Sequence, residues 1–362
     1  MKVGIACGGT GGHIFPGLAV ARVLSDKHHE VVLWLTGRDV ESVSTANWKG
    51  RVITTGGKGM PAGMSLRSLG ALVGLMAAFL RCWLVMMKDR PDVLLAMGGY
   101  ASVGPVLAAR MLGVPVVLHE SNAVPGRAVE FLSRYATVVA ISFQSAANYI
   151  QRCRTVLTGF PVRNEIKDRP SDRLLATNFF TVLVMGGSQG AHRLNEIAVS
   201  ALCRLHQQGI PVQVIHLTGI KDESYVRKSY QDTGVPCVVF SFLKEMSMAY
   251  NQADMLIARA GAATCAEIAA RAVPGILVPL PSAMRDHQTA NAIAFRKVSG
   301  IDVIMEKDLS VENLGDYMRD CYRNPEKLDR MRDVLRKIPA NNSAEKIAEL
   351  LEKIVVRRYT GK

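Results

Sequence analysis

The 362-residue chain lacks the marks of several protein classes. Its seven cysteines stand apart at 7, 82, 153, 203, 237, 265 and 321, with no C-x-x-C pair, which excludes a disulfide framework and the common zinc spacings and points to a reducing cytoplasm. There is no D-x-D, so the acidic pair that would hold a divalent cation on a diphosphate is missing, and no metal or other cofactor is expected. No G-K-[ST] follows a glycine cluster, which excludes a P-loop. Aromatic residues make up 6% and are not interleaved with clustered basic residues, which argues against a nucleic-acid partner. A signal peptide needs an apolar core of about 7 to 15 residues, whereas MKVGIACGGTGG turns to glycine almost at once, so export is not expected. The long apolar run Leu69 to Met87, LGALVGLMAAFLRCWLVMM, is interrupted by Arg81. An arginine near the centre of such a segment costs about 2.5 to 3.5 kcal/mol on insertion, so a surface-lying helix is expected rather than a membrane span.

What is present is 49% hydrophobic residue, enough for packed interiors, in a length that fits two domains of about 150 to 200 residues. The 44 Lys plus Arg against 31 Asp plus Glu give +13, which favours an anionic partner such as an acidic membrane or a phosphorylated substrate. Short β-branched runs alternate with apolar-periodic stretches, the pattern of parallel α/β sheets. Strands are expected at Val3 to Cys7, Val31 to Thr36, Asp92 to Met97, Val114 to His119 and Val138 to Ser142. A second set falls at Thr181 to Met185, Val212 to Thr218, Cys237 to Phe242, Met255 to Ala258 and Gly275 to Pro279. The polar stretch after Gly159-Phe160-Pro161-Val162-Arg163 reads as a linker, giving domains over 1–162 and 163–339. In the tail, Asn342 can cap a helix whose face is Ile347, Leu350, Leu351, Ile354 and Val355, and this segment, 340–362, is expected to return to the first domain.

Several loops follow strands and carry chemistry. Gly8 to His13 enters a helix whose start Pro16 suits, so unpaired N–H groups should face an anion there; a dinucleotide fingerprint fails because Ile14 stands where its third glycine belongs. Gly98-Gly99-Tyr100 and His119-Glu120-Ser121-Asn122 fall on the same sheet edge, where doubly wound folds hold their ligands. Gly186 to His192 repeats the first loop in form, with the Ser188 hydroxyl and Gln189 amide able to assist around a pyrophosphate. After Arg259, a first-turn Glu267 either complements a helix dipole or accepts two ribose hydroxyls, and Asp286-His287-Gln288 is suited to sugar hydroxyls.

Taken in order, GGTGGHIFPGLAVA, MGGYASVGP, HESNAVPG, GFPVR, GGSQGAHRLN, RAGAATCAE and DHQTANA closely resemble the MurG family of bacterial peptidoglycan N-acetylglucosaminyltransferases over nearly the whole chain. The resemblance implies an α/β protein of two Rossmann-like doubly wound domains, the GT-B glycosyltransferase fold, with an interdomain cleft. It implies inverting transfer of GlcNAc from UDP-GlcNAc to the 4-hydroxyl of MurNAc in lipid I, the undecaprenyl-linked acceptor, giving lipid II for cell-wall biogenesis, cell shape and cell division. The family's UDP-GlcNAc contacts fall on Thr10, Gly11, Gly12 and Asn122 in the first domain. In the second they fall on Arg163, Ser188, Gln189, Leu243, Ala262, Ala263, Thr264, Glu267 and Gln288, with Glu267 on the ribose. The acceptor and its diphosphate are placed beside Gly98, Gly99, Tyr100 and Glu120, with His13 as the group that deprotonates the attacking hydroxyl. Two departures stand out: Ser121 where many members carry Gln, and Ala128-Val129-Glu130 where an Ala-Asn pair is common.

On a helix, Leu72, Leu75, Met76, Phe79 and Trp83 share a face, with Arg67, Arg81 and Lys88 able to reach anionic headgroups. A peripheral protein on the cytoplasmic face of the bacterial inner membrane is therefore expected, with other cell-wall synthesis proteins as possible partners. The alternative is a UDP-GlcNAc 2-epimerase of the same architecture, which needs no lipid acceptor. A nicotinamide dehydrogenase is disfavoured by Ile14 and by Thr36-Gly37-Arg38, where the second strand ends without an acidic residue.

Overall fold

The computed structural model describes residues 1–38, 41, 45–56, 66–167, 173–187, 189–281, 283–339 and 342–360. The chain divides into two compact units, Met1–Arg163 with Asn341–Lys362, and Asn164–Ala340.

The first unit runs β1 (Lys2–Ala6), α1 (Gly11–Asp26), β2 (Glu30–Leu35), β3 (Arg51–Thr54), α2 (Leu66–Lys88), β4 (Val93–Ala96), α3 (Val103–Met111), β5 (Val116–Glu120), α4 (Arg127–Leu132), β6 (Val138–Ile141) and β7 (Thr155–Leu157). Its seven strands are all parallel, in the order β3-β2-β1-β4-β5-β6-β7. Strand residues alternate between the two faces, and both faces are covered, which is why the interior strands read as unbroken apolar runs. Val3, Ile5, Leu33, Val93 and Leu95 pack with α1, whereas Val32, Trp34, Leu94 and Ala96 pack with α2 and α3.

The last helix, Ser343–Thr360, belongs to this unit. Its Ala344, Ile347, Ala348, Leu351 and Val355 are buried in the cluster that contains Val20, Ala21 and Leu24 of α1. Burial of Ile347, Leu351 and Val355 contributes about 1.5 to 3 kcal/mol each. Lys27 and His29 both reach Glu352, at 3.0 and 2.9 Å, and fix the helix on the same side.

The second unit runs α5 (Asn164–Lys167), β8 (Phe180–Met185), α6 (His192–Gln207), β9 (Val212–Leu217), α7 (Glu223–Thr233), β10 (Cys237–Phe240), α8 (Met246–Gln252), β11 (Met255–Ala258), α9 (Ala262–Arg271), β12 (Gly275–Leu277), α10 (His287–Ser299), β13 (Asp302–Val303), α11 (Val311–Arg323) and α12 (Pro325–Arg336), so that the closing Ser343–Thr360 helix is α13. Its sheet is parallel throughout, in the order β10-β9-β8-β11-β12-β13.

Three observations correct the sequence reading. Pro16 does not start α1, which begins at Gly11; it lies inside the helix, where it removes the donor that Gly12's carbonyl would otherwise meet. Glu267 stands in the second turn of α9, so the dipole-capping alternative falls away. The exposed face of α2 is Val73, Met76, Leu80, Leu84 and Met87, which shares only Met76 with the face expected. Phe79 and Trp83 pack against the core beside buried Cys82 and Met86, Leu75 is half-buried, and the side chain of Leu72 lies outside the described residues. Among the described residues no helix is long and apolar enough to cross a membrane.

Candidate functional site

In the first unit the chemistry collects where β1, β4 and β5 end. Gly9 takes φ +115°, open to glycine, and turns the chain into α1. A buried carboxylate that the sequence reading missed controls this turn. Glu41 accepts hydrogen bonds from the N–H groups of Gly9 at 2.6 Å, Gly37 at 2.6 Å and Arg38 at 3.2 Å, and from the Thr36 hydroxyl. Burial works to raise its pKa, but these four donors hold it below the usual carboxylate range. The Gly9 amide, expected to be open to an anion, is therefore already taken. The N–H groups of Thr10, Gly11 and Gly12 are the ones with no acceptor among the described residues.

His13 follows them. Its Nδ1 lies 3.3 Å from the Thr10 hydroxyl, and its Nε2 has no hydrogen-bond partner among the described residues. The Gly98-Gly99 turn, with φ +91° and +71°, packs against the imidazole so closely that a Cβ on Gly99 would stand 3.0 Å from Cε1. Desolvation lowers the pKa of His13, which leaves the ring neutral and able to take a proton. Ser102 holds the turn by donating to the Gly98 carbonyl at 2.7 Å, and Tyr100 is partly exposed beside it.

Glu120 ends β5 and is buried. One oxygen accepts from the Asn122 N–H at 2.8 Å and the Asn122 side-chain amide at 3.3 Å; the other accepts from the Gly126 N–H at 3.0 Å. Burial pushes its pKa up to about 7 against the pull of those amides. Glu120 thus shapes the 121–126 loop and presents Asn122. The adjacent His119 is a core residue, its pKa lowered to about 4 by burial. Arg163 closes the first unit, its guanidinium 4.7 Å from the ring centroid of Phe15 on α1.

In the second unit the loops after β8, β10, β11 and β12 share the C-terminal edge of the sheet. Ser188 lies outside the described residues; Gln189 is exposed. The N–H groups of Ala191, His192 and Arg193, at the start of α6, have no acceptor among the described residues. His192 was absent from the sequence-derived site. Its Nδ1 lies 2.9 Å from Asp222, whose hydrogen bond and charge raise the His192 pKa. Asp222 is held in turn by Asn195 at 2.7 Å.

Leu243 is half-buried after β10, Ala262 is buried, and Ala263 and Thr264 are half-buried in the first turn of α9. Glu267 accepts from the Tyr250 hydroxyl at 2.9 Å, which itself lies 3.6 Å from Met185 at the end of β8. The Gln288 carbonyl accepts from the Ala260 and Leu280 amides at 3.2 and 3.0 Å, joining the loops after β11 and β12. Arg259, also missed, reinforces that junction through the Val278 and Pro279 carbonyls and an ion pair with Glu306. The signal for Glu41 was weak, since it stands outside the glycine loops; Arg259 opens the RAGAATCAE loop, but nothing in the sequence announced the carbonyls and carboxylate that it meets.

Two parallel α/β units, each with a glycine turn opening a helix at its sheet's C-terminal edge, define a two-domain glycosyltransferase architecture. The chain belongs to glycosyltransferase family 28: the family's N-terminal domain model matches residues 3–141 and its C-terminal domain model residues 181–351. It is 35% identical to the UDP-N-acetylglucosamine--N-acetylmuramyl-(pentapeptide) pyrophosphoryl-undecaprenol N-acetylglucosamine transferase of Myxococcus xanthus, over 99% of this chain and 94% of that one. The crystal structure of Acinetobacter baumannii MurG superposes with a TM-score of 0.78 at 29% identity, covering 97% of this chain and 99% of that one. UDP-GlcNAc 2-epimerase from Neisseria meningitidis shares the fold, with a TM-score of 0.68 at 12% identity over 98% and 100% of the two chains.

Proposed function

We propose that this enzyme transfers GlcNAc from UDP-GlcNAc to the 4-hydroxyl of MurNAc in lipid I, with inversion, giving lipid II. The observation that carries the chemistry is His13: a neutral imidazole with an unoccupied Nε2, braced by Thr10 and the Gly98-Gly99 turn. In this reading Nε2 takes the proton of the attacking hydroxyl as the bond to the sugar's anomeric carbon forms and the bond to UDP breaks. The open amides of Thr10, Gly11 and Gly12 and the side chain of Asn122 hold the substrates at this end, with Gly98, Gly99 and Tyr100 on the acceptor side and Glu120 positioning the loop that carries Asn122.

The second unit holds the nucleotide. Glu267, kept in place by Tyr250, accepts the ribose hydroxyls. Leu243, Ala262, Ala263 and Thr264 line the nucleoside, with Ser188, Gln189 and Gln288 completing the contacts of this unit; Arg163, at the end of the first unit, is the remaining donor contact. The α6 amides, with the His192 side chain beside them, stabilise the departing diphosphate without a metal.

The exposed α2 face, Val73, Met76, Leu80, Leu84 and Met87, with Arg81 and Lys88 exposed beside it, supports peripheral attachment to an anionic membrane surface on the side where the lipid acceptor is presented. The deciding experiment incubates the protein with UDP-GlcNAc and a soluble lipid I analogue. UDP release that requires the analogue and yields the disaccharide product is expected; acceptor-independent formation of UDP-ManNAc assigns the epimerase reaction instead.

A further inference from the structure

At the end of the first sheet opposite His13, where β5 and β6 begin, the last turns of α3 and α13 and the short turn Ser133–Tyr135 border a cavity of about 510 Å³. Four arginines line it, Arg110, Arg134, Arg357 and Arg358, with Tyr135 and Ile354 between them, and no carboxylate does. None of the four makes an ion pair among the described residues. Arg134 donates to the Phe131 carbonyl at 3.1 Å and lies over its ring, 4.9 Å from the centroid, and Arg358 donates to the Asp92 carbonyl at 3.3 Å; these contacts steady the guanidinium groups without pairing either with a carboxylate.

Arginines are common at helix C-termini because they offset the dipole, and Arg110, Arg357 and Arg358 stand in such last turns. Magnitude decides against that as a full account. Two helix ends supply roughly −0.5 charge each, about −1 in all. Four guanidinium groups around one cavity therefore leave an excess of roughly +3 facing solvent. A concave wall concentrates that field, and the planar fork of arginine matches the oxygens of a phosphate two at a time. The chain neighbours Met111, Phe131 and Val356 are exposed at 66%, 43% and 58%, so apolar surface accompanies the charge.

We propose that this cavity binds a phosphate or phosphodiester group, carried either by a lipid headgroup or by a soluble phosphate ester. Its volume lies within the range of about 300 to 1,000 Å³ typical of small-molecule sites. The site is separate from the transfer chemistry, and its test reads binding rather than turnover. With UDP present at saturation to occupy the nucleotide site, the full chain and an Arg110→Gln/Arg357→Gln variant are titrated by calorimetry with inorganic pyrophosphate, and separately with dihexanoylphosphatidylglycerol below its micelle concentration. Saturable binding of at least one probe is expected, weakened ten-fold or more in the variant, while donor KM and turnover on a soluble acceptor stay unchanged. Binding of the lipid alone assigns the cavity to a headgroup, and binding of pyrophosphate alone to a soluble ester; both outcomes support the proposal. No binding by the unsubstituted chain, or equal binding by both proteins, overturns it.

Discussion

Single side chains divide here into those that react and those that hold others in place. For His13, a general base contributes about 10²- to 10⁴-fold, so His13→Gln is expected to lower kcat by that order with little change in donor KM. Because burial lowers its pKa, the acid limb of the pH–rate profile should lie below pH 6.5 and disappear in the variant. A pre-steady-state and steady-state pH series checks both. For Glu267, the proposed ribose acceptor, loss of the carboxylate should appear as weaker donor binding: Glu267→Gln is expected to raise the UDP-GlcNAc KM about ten-fold with kcat retained. Tyr250→Phe, which leaves the carboxylate but removes its partner, should raise KM less. The glycine loops and His13 were legible in the sequence because a strand, a glycine cluster and a helix follow one another within a few residues. Glu41 was not, because its partners are backbone amides of Gly9 and Gly37, and nothing in a residue's identity announces which amides it will meet.

At the scale of elements, the nine interior strands were readable since both of their faces are buried, and the edge strand β10 was readable from its apolar run CVVF. The three that escaped, β3, β7 and β13, are edge strands of two to four residues whose partly exposed sequences, RVIT, TVL and DV, carry no sustained apolar run. Helix α2 shows a different limit. From Leu69 to Met87 only Arg81 interrupts its apolar circumference, so periodicity says little about which side faces the core. The close approach of α3, where Gly104 would place a Cβ 3.2 Å from the Ala78 backbone, selects the side with Ala78, Cys82 and Met86 for burial. The membrane-binding expectation moves accordingly. Met76→Asp/Leu80→Asp/Leu84→Asp should reduce co-sedimentation with phosphatidylglycerol vesicles several-fold and leave kcat on a soluble acceptor unchanged, whereas Phe79→Asp should destabilise the first unit, because Phe79 packs against its core.

For the whole molecule, buried histidines set the response to acid. His119 and His216 are held neutral by burial, with pKa values near 4 and 3. Both values are depressed below the ordinary 6.5, so the unfolded chain binds protons that the folded one refuses, and stability falls as pH drops below 6.5. Glu120, raised to about 7, acts in the opposite sense between its ordinary pKa and 7, but one group opposes two. The unfolding temperature is expected to be lower at pH 5 than at pH 6.5. For His119 alone the effect, accumulated down to its folded pKa, is on the order of 3 kcal/mol. Scanning calorimetry at several pH values checks the direction, and His119→Asn should flatten the dependence.

The placement of α13 also dictates the order in which the protein is completed on the ribosome. The first sheet emerges early, yet the strip of α1 around Val20 and Leu24 is packed by Ile347 and Leu351, which are made only after the second unit. The first unit must wait, partly bare, while the entire second unit is translated. Truncation by a late stop codon therefore uncovers the first-made core rather than the last-made one.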